Sequence, residues 1–175
     1  MKLRSLPILL MMAAALGSTA AQATPTGNLR FAGLVNAGTC NLAAGDANRT
    51  ITLPTVKVPD FDSAVSAGAL DFNITAECES DISNVIFLFA GTASTGNGLL
   101  FSNTGTSQGV ALWLMSLQPN ALTIPANGTA AQRSRTVATS ANKAVMPLRA
   151  AYHRDTPKVT SGTLASIVTV SITYN

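Results

Sequence analysis

The chain has 175 residues, only 11% of them charged, and a formal net charge of +3. That length suits a single domain with a sizeable core. Its basic residues are scattered apart from "RSR" at 133–135. With no basic stripe interleaved with aromatics, nucleic-acid binding has no footprint here, and "RSR" reads as a solvated loop or strand edge.

The first element, "MKLRSLPILLMMAAALGSTAAQA", carries Lys2 and Arg4 ahead of an apolar core from Leu6 to Leu16 and ends on Ala21-Gln22-Ala23. The core is short for a membrane span, and the small residues fit a cleavage site, so residues 1–23 are expected to be a signal peptide. Removing Lys2 and Arg4 leaves 9 basic against 8 acidic residues, close to neutrality. No later segment is long and apolar enough to span a membrane as a helix.

After a turn-forming "TPTGN", the stretch "LRFAGLV" alternates, with Leu29, Phe31, Gly33 and Val35 on one parity. A spacer, "NAGT", leads to Cys40. "RTITLPTVKV" predicts a short strand closed by Pro54. "GALDFNITAEC" predicts a strand ending at Cys78, and "NVIFLFAG" a central buried strand. "GTASTGNG" is a loop. "GVALWLMSL", "LTIPANG", "RSRTVATS" and "AVMPLRAAYHR" predict further strands, the last placed at an edge or bulge by Pro147. The terminal "IVTVSITYN" alternates Val168, Val170, Ile172 and Tyr174 against Thr169, Ser171 and Thr173. Short strands with turn signals about every ten residues predict an antiparallel β-sandwich.

An even pair of cysteines, Cys40 and Cys78, in an exported chain predicts one disulfide. Two thiols and a distant His153 cannot make a structural zinc site, and no metal or cofactor is expected. His153 lies in "YHRDTP" without a Gly-rich phosphate loop, an Asp-Phe-Gly or a Gly-x-Ser-x-Gly elbow, so no catalytic residue is assigned. The triplet His-Arg-Asp reads as an exposed strand end with a local ion pair.

Taken together, the two ends resemble those of the chaperone–usher fimbrial subunits, the type 1 pilin family. "FAGLVNAGTCNL" supplies an aromatic, a glycine two residues on, an apolar residue and a small-residue spacer before Cys40. Cys78 ends a strand as the family's second cysteine does. At the C-terminus, Tyr174 is penultimate, Ile172, Val170 and Val168 alternate before it, and Gly162 stands fourteenth from the end. The resemblance implies an incomplete immunoglobulin-like sandwich that stops before its last strand and is completed by donor-strand exchange. It implies an N-terminal donor extension at 24–36 and a pilin domain at 37–175. Leu29, Phe31, Gly33 and Val35 would be the donor strand; Gly162, Val168, Val170, Ile172 and Tyr174 would form the acceptor-groove edge. Implied partners are a periplasmic pilus chaperone, an outer-membrane usher and neighbouring pilin subunits in a fibre on the cell surface. Two alternatives stand beside this: a minor or tip-adaptor subunit that contacts a ligand directly, through Trp113 or Tyr152, and a self-contained exported β-sandwich binding protein.

Overall fold

A computed structural model describes residues 30–175. Residues 1–23, the expected signal peptide, lie outside them, as does Leu29. Arg30–Val35 belong to no strand, and Phe31 and Val35 are 91% and 96% exposed.

From Asn36 onward the chain forms two antiparallel sheets. Strand β1 (Cys40–Leu42) lies against β2 (Ser66–Cys78), with a one-turn helix α1 (Asp60–Ser63) between them in sequence. Then follow β3 (Asn84–Gly91), β4 (Val110–Ser116), β5 (Leu122–Thr123), a second one-turn helix α2 (Ala130–Arg133), β6 (Ser134–Ala138), β7 (Lys143–Arg154) and β8 (Val168–Tyr174). One sheet has the order β1-β2-β7-β4-β5 and the other β6-β3-β8. This is an immunoglobulin-like arrangement in which the position beyond β8 is empty among the described residues.

Period-two alternation decides which residues fill the core. Val85, Phe87 and Phe89 of β3 are buried to within 1%, and they face Ile74 and Ala76 of β2, Leu114 of β4, and Ala144, Met146, Leu148 and Ala150 of β7. Cys40 and Cys78 are direct cross-strand partners of β1 and β2 and form a disulfide.

Three features depart from the sequence reading. First, no strand forms over 49–58; this segment lies beside the open side of the sandwich, and residues 47–56 make no backbone–backbone hydrogen bond among the described residues. Its composition suits a strand, but a strand needs a neighbour, and the position beside it is the empty one. Second, β7 is not an edge strand: it pairs with β2 on one side and β4 on the other. Pro147 is tolerated because its carbonyl accepts from the Leu117 N–H, so its missing N–H faces the same side, just past the point where the β4 ladder ends at Ser116↔Leu148.

Third, "RSR" lies at a strand edge, as one of its two readings has it, with Ser134 and Arg135 opening the outer strand β6, but it is not solvated throughout. Arg135 is 8% exposed. Its Nε donates to Ser116 Oγ at 2.8 Å, Nη1 to the carbonyls of Gln132 and Ser134, and Nη2 to the Thr123 carbonyl at 2.9 Å. It therefore ties β6 of one sheet to β4 and β5 of the other, closing that side of the sandwich. Burial pushes its pKa below the ordinary guanidinium value. Replacing Arg135 by Ala removes the donor to the Thr123 carbonyl and to Ser116 Oγ, which keeps only its bond to the Leu122 carbonyl, and opens a void. Chemical denaturation should show a loss of about 2–4 kcal/mol. Lys143→Ala, which breaks only an exposed pair with Glu77, should leave the midpoint nearly unchanged.

Candidate functional site: an open groove beside the last strand

The side opposite Arg135 is not closed. Strand β8 pairs only with β3, from Val85↔Tyr174 to Gly91↔Val168. The phase of this ladder identifies what the free edge offers. Asn84 and Asn175 exchange both backbone bonds at 3.2 Å. In an antiparallel pair such bonded positions recur every second residue, so Thr173, Ser171 and Thr169 face β3. The N–H and C=O groups of Tyr174, Ile172, Val170 and Val168 therefore point away from the sheet.

The same parity carries the apolar side chains. Val168, Val170 and Ile172 are only half-buried although they pack on the core, while their β3 neighbours Phe87 and Phe89 are fully buried. The difference is one missing layer of contacts. Beside them lie two pockets that meet at Leu164, which lines both. The near pocket, ≈ 780 Å³, lies between residues 46–53 and 164–170, with Phe72, Ile74, Leu112, Leu148 and Phe89 among its lining. The far pocket, ≈ 630 Å³, lies between 55–61 and 159–164 and reaches Val110 and Tyr152.

Each wall is positioned locally. Asp46 accepts from the Thr75 N–H at 2.8 Å and from Arg49, whose other contact is the Asn73 carbonyl, so the 46–53 wall is pinned to β2 by side chains. At the far end, the Lys57 N–H donates to Asp60 Oδ2 at 2.7 Å. A bulge between Ala67 and Leu70 in β2 places Gly68 at φ +63, where a Cβ would come within 2.7 Å of Val56 and 2.9 Å of Tyr152. Only glycine lets both side chains close over β2 here.

The expected site residues divide accordingly. Val168, Val170, Ile172 and Tyr174 line one continuous edge, with Tyr174 at its end and 38% exposed. Gly162 lies in the far pocket at φ +149, and a Cβ there would approach Ser107 Cα to 2.7 Å. Its role is close packing against the 102–108 loop. Phe31, Gly33 and Val35 are exposed and lie in a segment without secondary structure. The contribution of the 46–58 segment as the second wall is not evident in the sequence, where it reads as an ordinary strand.

His153 sits edge-on to Trp113, ring centroids 5.7 Å apart, with Nδ1 2.8 Å from the Arg154 carbonyl. The expected ion pair in His-Arg-Asp does not form: Arg154 donates to the Phe61 carbonyl, and Asp155 accepts from Ser94.

A sandwich of this topology with one strand position open, and a groove lined by its own core, defines a class of β-domains that are completed by an added strand. The chain belongs to the Fimbrial protein family, whose model matches residues 26–175. It is a fimbrial subunit. It is 29% identical over 161 residues to a minor fimbrial subunit, HifD, of Haemophilus influenzae, covering 85% of this chain and 74% of the relative. The P pilus rod subunit PapA superposes with a TM-score of 0.62 at 16% identity, over 78% of this chain and 99% of that one. A subunit from the structure of a chaperone–usher pilus also gives 0.62, at 15% identity, over 86% and 96%. At these identities the structural likeness is one of fold.

Gly162→Ala forces a Cβ onto the Ser107 backbone at a φ that side chains disfavour. Thermal unfolding should show a stability loss of roughly 1–3 kcal/mol.

Proposed function

We propose that this chain is a structural subunit of a chaperone–usher fimbria, without enzymatic activity, that polymerises by donor-strand exchange and supports cell adhesion. The observation that carries this reading is the one-sided β8 edge, whose free backbone groups and half-buried side chains share one groove. Such an edge is unstable alone and is satisfied by an extended segment from another molecule.

The donor is residues 24–36 of a neighbouring subunit, released when a signal peptide of residues 1–23 is removed; residues 37–175 are the accepting domain. An antiparallel donor matches every other ladder in the sandwich and is the more stable pairing. In that direction Leu29 and Phe31 enter the near pocket and Val35 the far pocket, with Gly33 between them where the backbone approaches closely. A slip of one residue would turn Arg30 inward, so the register is strongly specified. Burial of Leu29, Phe31 and Val35 is worth roughly 5–8 kcal/mol before ordering costs. Both pockets are open, which favours a subunit that accepts a donor along the full groove.

Before assembly, a periplasmic chaperone lends a strand to the same edge, and exchange takes place at an outer-membrane usher, so that the subunit ends in a fibre on the cell surface. The head-to-tail contact is heterologous and propagates instead of closing. The 29% identical relative is a minor subunit. That favours a second reading within the same mechanism, a low-copy subunit of the fibre, which subunit counting by quantitative mass spectrometry of purified fimbriae would distinguish.

Appending a Gly/Asn linker and residues 24–36 after Asn175 lets the chain supply its own strand. We expect a monomer whose unfolding midpoint rises by about 10 °C or more. An unchanged midpoint would mean that the domain is already complete and would sink the donor-strand reading. Deleting residues 24–35 should leave a domain that accepts a strand but cannot donate one; fibres of normal length from that variant would rule the extension out as donor.

A further inference from the structure

β3 supports the acceptor edge only as far as Val168, its last partner. Upstream, residues 160–165 are held by a different element, the loop at 102–108. The Thr104 N–H donates to the Ala165 carbonyl at 2.8 Å, the Ser107 N–H to the Thr163 carbonyl at 3.0 Å, and the Thr160 N–H to the Gln108 carbonyl at 3.0 Å. Ser107 Oγ adds a bond to the Thr160 carbonyl. Thr163 and Ala165 thus face the loop, which leaves Leu164 and Ser166 facing the groove. That is the phase of Val168, Val170 and Ile172, so two supports produce one edge that is uninterrupted from Leu164 to Tyr174, while Thr160 turns both its backbone groups to the loop.

Asn103 sits at the joint. Its Oδ1 accepts from the Gly105 N–H at 2.8 Å and the Ala165 N–H at 2.9 Å, while Nδ2 donates to the Ser107 carbonyl at 2.8 Å and reaches the Thr163 carbonyl at 3.4 Å. A carboxamide offers the same donor and acceptor as a peptide group. Here it replaces the peptide that β3 would have contributed had it continued. Gly105 and Gly162 permit the approach: a Cβ on Gly105 would come within 2.7 Å of the Thr163 carbonyl carbon.

We propose that Asn103 is a positioning residue for strand capture. It keeps Thr163–Ala165 in ladder phase with β8, so that the far half of the groove can bind residues 32–36 of the incoming strand. This rests on the donor-strand reading, and the test separates the two. Labelled synthetic peptides of residues 24–36 and 24–31 are offered to the full chain and to its Asn103→Ala variant, and capture rates are compared. The shorter peptide reaches only the half of the edge that β3 holds. Loss of Asn103 should slow capture of the longer peptide about tenfold or more, given several ladder bonds at stake, and leave the shorter one unchanged. Equal slowing of both peptides marks a general packing role and overturns the proposal, as does no slowing of either. Capture of neither peptide by the unaltered chain overturns the donor-strand reading itself. Asn103→Asp, which keeps the two accepted bonds and loses the donated ones, should fall between. In the unaltered chain with an empty groove, the Ala165 and Ser107 amides should resist hydrogen exchange; rapid exchange there also overturns the proposal, whatever the folding of the variants.

Discussion

The whole architecture turns on an unmet requirement of the backbone. Buried peptide groups need partners, and β8 has them on one side only. The residues whose N–H and C=O groups point outward also turn their apolar side chains toward the core. Hydrogen-bonding and hydrophobic demands therefore fall on the same vacancy. A single added strand answers both, because the two demands recur together at every second residue along the edge.

The vacancy is stable as a shape because the rest of the sandwich does not collapse into it. On the closed side, Arg135 spans the sheets with bonds to a hydroxyl and to carbonyls, none of them to a carboxylate. On the open side, the two walls are held from behind: the 46–53 segment by Asp46 and Arg49 on β2, the 160–165 segment by Asn103 and its loop. The floor is the buried face of β2, β4 and β7. Support from behind leaves the facing surfaces of both walls free.

Much of this was legible in the sequence. Strands β2, β3, β4, β7 and β8 announce themselves through alternation or an apolar run, because their burial is decided by neighbours within the same chain. The segment at 49–58 misleads for the converse reason: it has strand composition, but the neighbour that would pair with it is not among the described residues. Pro147 misleads because a central strand can tolerate one position that accepts from its neighbour but donates nothing back, here at the end of the β4 ladder. Arg135 and Asn103 are silent in sequence. Their partners include residues up to 62 positions away, and "SNTGTSQG" has the composition of any surface loop. The capping box of α2, Thr129 with Gln132, was readable from its spacing but marks only one turn of helix.

The Cys40–Cys78 bridge has a mechanical consequence. β1 is three residues long, and its ladder to β2 alone would peel open under modest tension. A pull applied at residue 36 reaches Cys40 almost at once and passes covalently into Cys78, at the end of a strand of 13 residues bonded along most of its length to β7. The short strand is bypassed, and the load is borne in shear by long ladders whose bonds must fail together rather than one at a time. The disulfide thus works as a shackle, passing tension from the root of the chain around the short strand and into the long ladders of the sheet.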